Sequence, residues 1–230
     1  GVGYHALKCN TTASSNIAIG YEALLKNTTG KCNVAVGHCS MTSNLTGSYN
    51  TGLGRQALML NTIGCNNVAI GNSALGLNTT GNFNTSIGSS ALALNTTGQN
   101  NTAVGLFSLY SNTSGRDNVS VGLCALRVNT IGGFNTAIGR RALQANTTGG
   151  CNTAVGNSSL YANTTGIFNT AVGNASSQCN TTGRYNTTLG SQSLFSNTTG
   201  GCNVAVGYTA LCSNTTGIRN VAIGTSAMYA

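Results

Sequence analysis

The 230-residue chain carries ten basic side chains, two acids (Glu22 and Asp117) and two histidines (His5 and His38), giving a formal net charge of +8, and it has neither proline nor tryptophan. General acid–base work and most metal sites need clustered carboxylates and imidazoles, so this inventory predicts a non-enzymatic chain with no cofactor. Charged residues make up 5% of the chain and hydrophobic ones 40%, a balance that argues against disorder, because disordered chains are rich in charge and poor in apolar residues.

From Ile17 onward the chain divides, without insertion or deletion, into units of seventeen residues that read approximately [V/T]-A-[V/I]-G-x-x-[A/S]-L-x-x-N-T-T-G-x-x-N. Positions are numbered below from the first residue of each unit. No linker interrupts residues 1–230, which read as one array of about 13.5 coils. The array opens and closes in mid-repeat, as a window of a longer fibre would.

Taken in chain order, positions one to three predict a short strand, followed by a corner at the glycine of position four, which recurs from Gly3 to Gly224. A second short strand is expected around positions seven to ten. The N-T-T-G turn follows, with glycine at position fourteen in every unit except the one holding Ala13. Position three is always Val, Ile or Leu, and position eight is Leu or Met except at Ser177, so these two positions are expected to form the core. Positions two and seven hold mostly small residues that let two backbone layers approach. Glycine, asparagine and threonine at this density disfavour helices. The predicted fold is therefore all-β: a parallel β-solenoid, or β-roll, with one 17-residue coil per repeat.

Stacked coils place identical positions above one another. Position seventeen is Asn throughout (Asn16, Asn33, Asn50, Asn67, Asn84, Asn101, Asn118, Asn135, Asn152, Asn169, Asn186, Asn203 and Asn220), which predicts a structural ladder of side-chain amides. Position eleven is also always Asn, and it forms an N-x-[S/T] sequon at Asn10, Asn27, Asn44, Asn78, Asn95, Asn112, Asn146, Asn163, Asn180, Asn197 and Asn214. After a eukaryotic-type secretory route these sequons are candidates for covalent N-glycans, with the position-seventeen column bare and buried. Against this, Asn61 and Asn129 keep the Asn in N-T-I-G and lose the sequon, as a simple turn role would allow. Off-register sequons at Asn84, Asn100, Asn118, Asn157, Asn174 and Asn186 are weaker candidates.

Nine cysteines without a C-x-x-C pair fit an oxidising, secreted setting. Cys9 with Cys32 and Cys179 with Cys202 share one offset, from position ten to position sixteen of the next coil. Cys39 with Cys65 and Cys124 with Cys151 run from position six to position fifteen or sixteen. These four pairs are the expected disulfides, with Cys212 left over. The basic residues scatter over variable positions on three edges, so no nucleic-acid stripe is expected, and no apolar run approaches the ~20 residues of a membrane span.

The units at residues 152–166 (N-T-A-V-G-N-S-S-L-Y-A-N-T-T-G) and 135–149 (N-T-A-I-G-R-R-A-L-Q-A-N-T-T-G) resemble repeat arrays of tail-fibre-like proteins from phages, large viruses and bacteria. More distantly, the [V/I]-G-x-x-A segment is similar to the head repeats of trimeric autotransporter adhesins. The resemblance implies an elongated fibre, extracellular or on a virion surface, commonly trimeric. On this reading the chain is a structural shaft whose partners are copies of itself, as a homotrimer or filament. An adhesin or attachment shaft is the second reading. An ice-binding rod, resting on the recurring threonine at position one, is the third.

Overall fold

The computed structural model describes residues 1–229, which form an all-β parallel β-solenoid with no helix among them. The chain divides into two compact units, Gly1–Arg116 and Asp117–Ala230. The first contains β1 (Ile17–Ile19), β2 (Val34–Val36), β3 (Thr51–Leu53), β4 (Val68–Ile70), β5 (Thr85–Ile87) and β6 (Thr102–Val104). The second contains β7 (Val119–Val121), β8 (Thr136–Ile138), β9 (Thr153–Val155), β10 (Thr170–Val172), β11 (Thr187–Leu189), β12 (Val204–Val206) and β13 (Val221–Ile223). Within each unit consecutive strands pair in parallel at an offset of seventeen residues, as in Ile17 with Val34 and Thr136 with Thr153. Each repeat is thus one coil, and the turns have the length that returns the chain one strand spacing, about 4.8 Å, along the stack.

Only three residues per coil are extended. Side chains alternate across a strand, so positions one and three share a face and position two takes the other. Position two is the one that points inward: Ala35, Ala69, Ala103, Ala137, Ala154 and Ala205 are fully buried. They pack with positions seven and eight, as in the cluster of Leu194, Ala205, Ala210, Leu211 and Ala222. Position three instead faces outward, with Ile70 37% and Leu189 52% exposed, which corrects the expectation that it joins position eight in the core. The coil is thin, and one Leu per turn fills the space left between two small-residue layers.

The expected second strand at positions seven to ten is not a strand. Residues at positions six and eight lie in the left-handed region, as Glu22 (φ 53°) and Leu24 (φ 51°) do, and position sixteen joins them with Cys32 (φ 56°). This left-handed alternation folds the backbone tightly, yet the coil-to-coil ladder runs on through it. The Leu24 N–H donates to Ser40 O at 3.1 Å and the Lys26 N–H to Thr42 O at 3.0 Å. β-Branched side chains fit poorly at positive φ. Positions six, eight and sixteen accordingly contain no Val or Ile and a single Thr, Thr209. The preference for Leu over Ile at position eight is therefore a backbone requirement as well as a packing one. Leu160 (φ 49°, fully buried) offers a test. Leu160→Met is expected to cost about 1 kcal/mol, whereas Leu160→Ile, of equal volume, is expected to cost about 2–3 kcal/mol because strain adds to it. Urea unfolding followed by circular dichroism would order the two variants, and equal midpoints would remove the backbone argument.

Position-four glycines sit near φ +130°, for example Gly20 at +131°. A Cβ on Gly20 would lie 2.5 Å from the carbonyl oxygen of Gly37 one coil on, so this corner needs glycine for both conformation and room. The one departure from an apolar position eight is compensated locally. Ser177 is buried, and its hydroxyl lies 3.1 Å from that of Thr188, which also meets Ser176 at 2.7 Å.

Candidate functional site

Two asparagine columns line the inside of each unit. At position eleven, the Asn44 Nδ2 donates to Asn27 Oδ1 of the preceding coil at 2.8 Å and to Gly47 O of its own turn at 2.9 Å. At position seventeen, the Asn33 Nδ2 donates to the same Gly47 carbonyl at 2.9 Å, and the Asn50 N–H donates to Asn33 Oδ1 at 3.0 Å. The two columns thus converge on the position-fourteen carbonyl, and this motif repeats in both units, for example around Gly166. Such amide chains replace the water that each buried group gave up. Among the described residues, Gln144 Oε1 is the buried side-chain atom left without a partner.

This geometry bears directly on the expected glycans. Asn27, Asn44, Asn78, Asn95, Asn112, Asn146, Asn163, Asn180 and Asn197 are as fully buried as the position-seventeen residues, and Asn10 and Asn214 at the ends are half-buried. The atom that would carry a sugar, Nδ2, already makes two internal hydrogen bonds at the buried sequon positions of the column, as at Asn180. The two columns, expected to differ in exposure, are buried alike. A glycan at position eleven would displace both bonds and the coil above. Among the off-register sequons, Asn84, Asn118 and Asn186 are buried in the position-seventeen ladder, while Asn100, Asn157 and Asn174 are exposed.

All nine cysteines are free thiols, so none of the pairs Cys9–Cys32, Cys39–Cys65, Cys124–Cys151 and Cys179–Cys202 is formed. The register explains why. Columns join identical positions, so Cys9 lies under Lys26 and Cys32 under Tyr49, and an offset from position ten to sixteen leads to a different column. Burial raises the Cys212 thiol above its ordinary range. The Glu22 carboxylate beside Tyr21 raises that phenol.

The outer surface presents four kinds of feature. Positions one and three form paired columns on the sheet face; they are apolar at position three and alternate Val, Ile and Thr at position one. Four consecutive coils of the second unit carry Thr136, Thr153, Thr170 and Thr187 at position one. Position five carries a stack of rings, with Tyr4 to Tyr21 centroids 5.3 Å apart and Tyr21 to His38 5.1 Å apart. The basic side chains stand on separate edges. No group of three or more His, Cys, Asp or Glu among the described residues could hold a metal ion, and no helix is long and apolar enough to cross a membrane.

Comparisons with protein-family models, with curated proteins and with solved structures found no match.

Sequence reasoning missed the outward sheet face and the left-handed positions. The signals for both were present. Position two is confined to Gly, Ala, Ser and Thr, as an interior layer requires, and positions six, eight and sixteen exclude Val and Ile.

Proposed function

We propose that the chain is a structural shaft of an extracellular or virion-surface fibre, built from copies of itself that associate through the outward sheet face, most simply as a homotrimer. The observation that supports this is the position-three column, which in each unit is an apolar stripe flanked by Val, Ile and Thr of position one and left uncovered by the chain's own turns. Exposed apolar stripes of this length favour burial against a partner. The stripe repeats once per coil, so a matching partner needs side chains at the same spacing along its whole length, and a second copy of this solenoid supplies it. Three such faces closing around an axis would bury the stripe of every chain without leaving one open.

Sedimentation or native mass measurement should find a multiple of the 23.1 kDa chain. Val155→Lys with Val172→Lys, both on the outward face, should release single chains that keep the β-sheet circular dichroism spectrum. A monodisperse wild-type monomer would sink this reading. The threonine run from Thr136 to Thr187 favours an ice-binding face as the second reading, and thermal hysteresis in the wild-type solution would establish it instead.

A further inference from the structure

The backbone N–H of position fifteen stands outside the coil-to-coil ladder. In three coils of the first unit the position-fifteen side chain of the next coil accepts it instead. The Lys31 N–H donates to Ser48 Oγ at 3.0 Å, the Ser48 N–H to Cys65 Sγ at 3.4 Å and the Cys65 N–H to Asn82 Oδ1 at 2.7 Å. In the second unit position fifteen reads Gly133, Gly150, Ile167, Arg184, Gly201 and Ile218, and none of these side chains can accept, so the capture fails throughout. Arg184 is followed by Gly201, and Gly201 by Ile218, and neither successor carries an acceptor. The N–H groups of Arg184 and Gly201 consequently have no hydrogen-bond partner in the structure.

These donors lie where Gly201, lacking a side chain, opens a cleft of ≈ 460 Å³. Arg184, Arg219, Thr182 and Thr199 line it together with Gly201 and Ile218. Both guanidinium groups are exposed. No carboxylate competes for them: the two acids of the chain are Glu22, in the other unit, and Asp117, sixty-seven residues before Arg184. The two arginines are two coils apart, about 10 Å along the stack, one in the coil before Gly201 and one in the coil after it.

We propose that this cleft is an oxyanion site that takes a tetrahedral sulfate or phosphate group, free or ester-linked. A tetrahedral anion offers oxygens in several directions, enough for two arginines from coils on either side and a pair of backbone donors between them, whereas the two oxygens of a carboxylate face one way. Unpaired backbone N–H groups in a concave, positive setting are the usual construction of such sites.

Equilibrium dialysis of the intact chain with radiolabelled sulfate, at constant ionic strength set by chloride, tests the proposal. The expected result is one saturable site per chain, weakened about tenfold or more in Arg184→Gln with Arg219→Gln. It should also weaken in Ile218→Asn, which keeps every charge and supplies the Gly201 N–H with the acceptor that Asn82 gives Cys65. All variants alter exposed residues, and unchanged circular dichroism would verify their folding. A sulfated disaccharide and its desulfated form separate the sources. Tighter binding of the sulfated sugar assigns an ester-borne group, and affinity equal to that of inorganic sulfate assigns the free anion. Binding that chloride abolishes, or that falls with the arginine substitutions and ignores Ile218→Asn, reflects charge screening alone and would overturn the site.

Discussion

Gly139→Ala is expected to destabilise the second unit by more than about 4 kcal/mol, enough to interrupt the stack. Gly139 has φ +134°, a region that side-chain-bearing residues rarely enter, and the added Cβ would lie 2.5 Å from Gly156 O and 2.7 Å from Gly156 C. Those are backbone atoms of the next corner, which is itself pinned against the following coil, so relief in one coil has to be passed along the column. The control is Gly76→Ala. That glycine is not left-handed, and its added Cβ would meet Ser73 O at 3.2 Å, at a position where other coils carry Leu25, Met59 or Ala93. It should be tolerated, or stabilise by about 0.5 kcal/mol, because alanine has less freedom to lose on folding. Urea denaturation of both variants would check the pair. Similar losses at the two sites would mean that the corner geometry is not what requires glycine at position four.

Asn163→Ala is expected to cost about 3 kcal/mol, more than any substitution on the variable outer positions. The Asn163 Nδ2 donates to Asn146 Oδ1 at 2.8 Å and to Gly166 O at 3.1 Å, and its Oδ1 accepts from Asn180 Nδ2 at 2.9 Å. Truncation strands the amides above and below in a space closed to water and leaves a cavity. The same change at the half-buried Asn214 should cost about a third as much, because water reaches the groups left behind. Hydrogen exchange around residues 146–183 should report the lesion locally, with faster exchange in the coils on either side of Asn163. A change confined to global stability, with exchange there unaltered, would show that the column does not act as a chain of coupled amides.

Much of this architecture was legible in the residues. The seventeen-residue period, the corners at position four and the alignment of asparagines all follow from identity at fixed spacing, because a parallel stack superposes equal positions. The direction of the side chains was harder to read. A three-residue strand such as Thr136–Ile138 is too short for alternation to show which face is wet, and Ile138 outweighs Ala137 in hydrophobicity, so hydropathy points to the wrong residue. The interior is decided by width, and alanine is what fits opposite Leu143. The sequons misled for a related reason: N-x-[S/T] marks a surface loop by habit, whereas here the turn curls its Asn inward beneath its own glycine carbonyl. The cysteine offsets measured separation along the chain, and in a stacked coil the neighbour in space lies seventeen residues away. The unanswered donors at Arg184 and Gly201 become legible in residue type only once the structure shows that the position-fifteen side chain of one coil can cap the N–H of the coil before it.

The interchangeability of coils has a genetic consequence. Every column accepts the same residue from any unit, so in-frame gain or loss of one whole repeat leaves each amide, corner and Leu with an equivalent neighbour, and the molecule changes only in reach. Losing a single residue leaves one coil of sixteen, which cannot keep both of its inward asparagines in column with the coils on its two sides. Near-identical repeats in a coding sequence promote unequal exchange, and this fold sorts its products. Whole-coil length variants are expected to keep the stability of the parent, and variants that differ by a fraction of a coil to lose part of it.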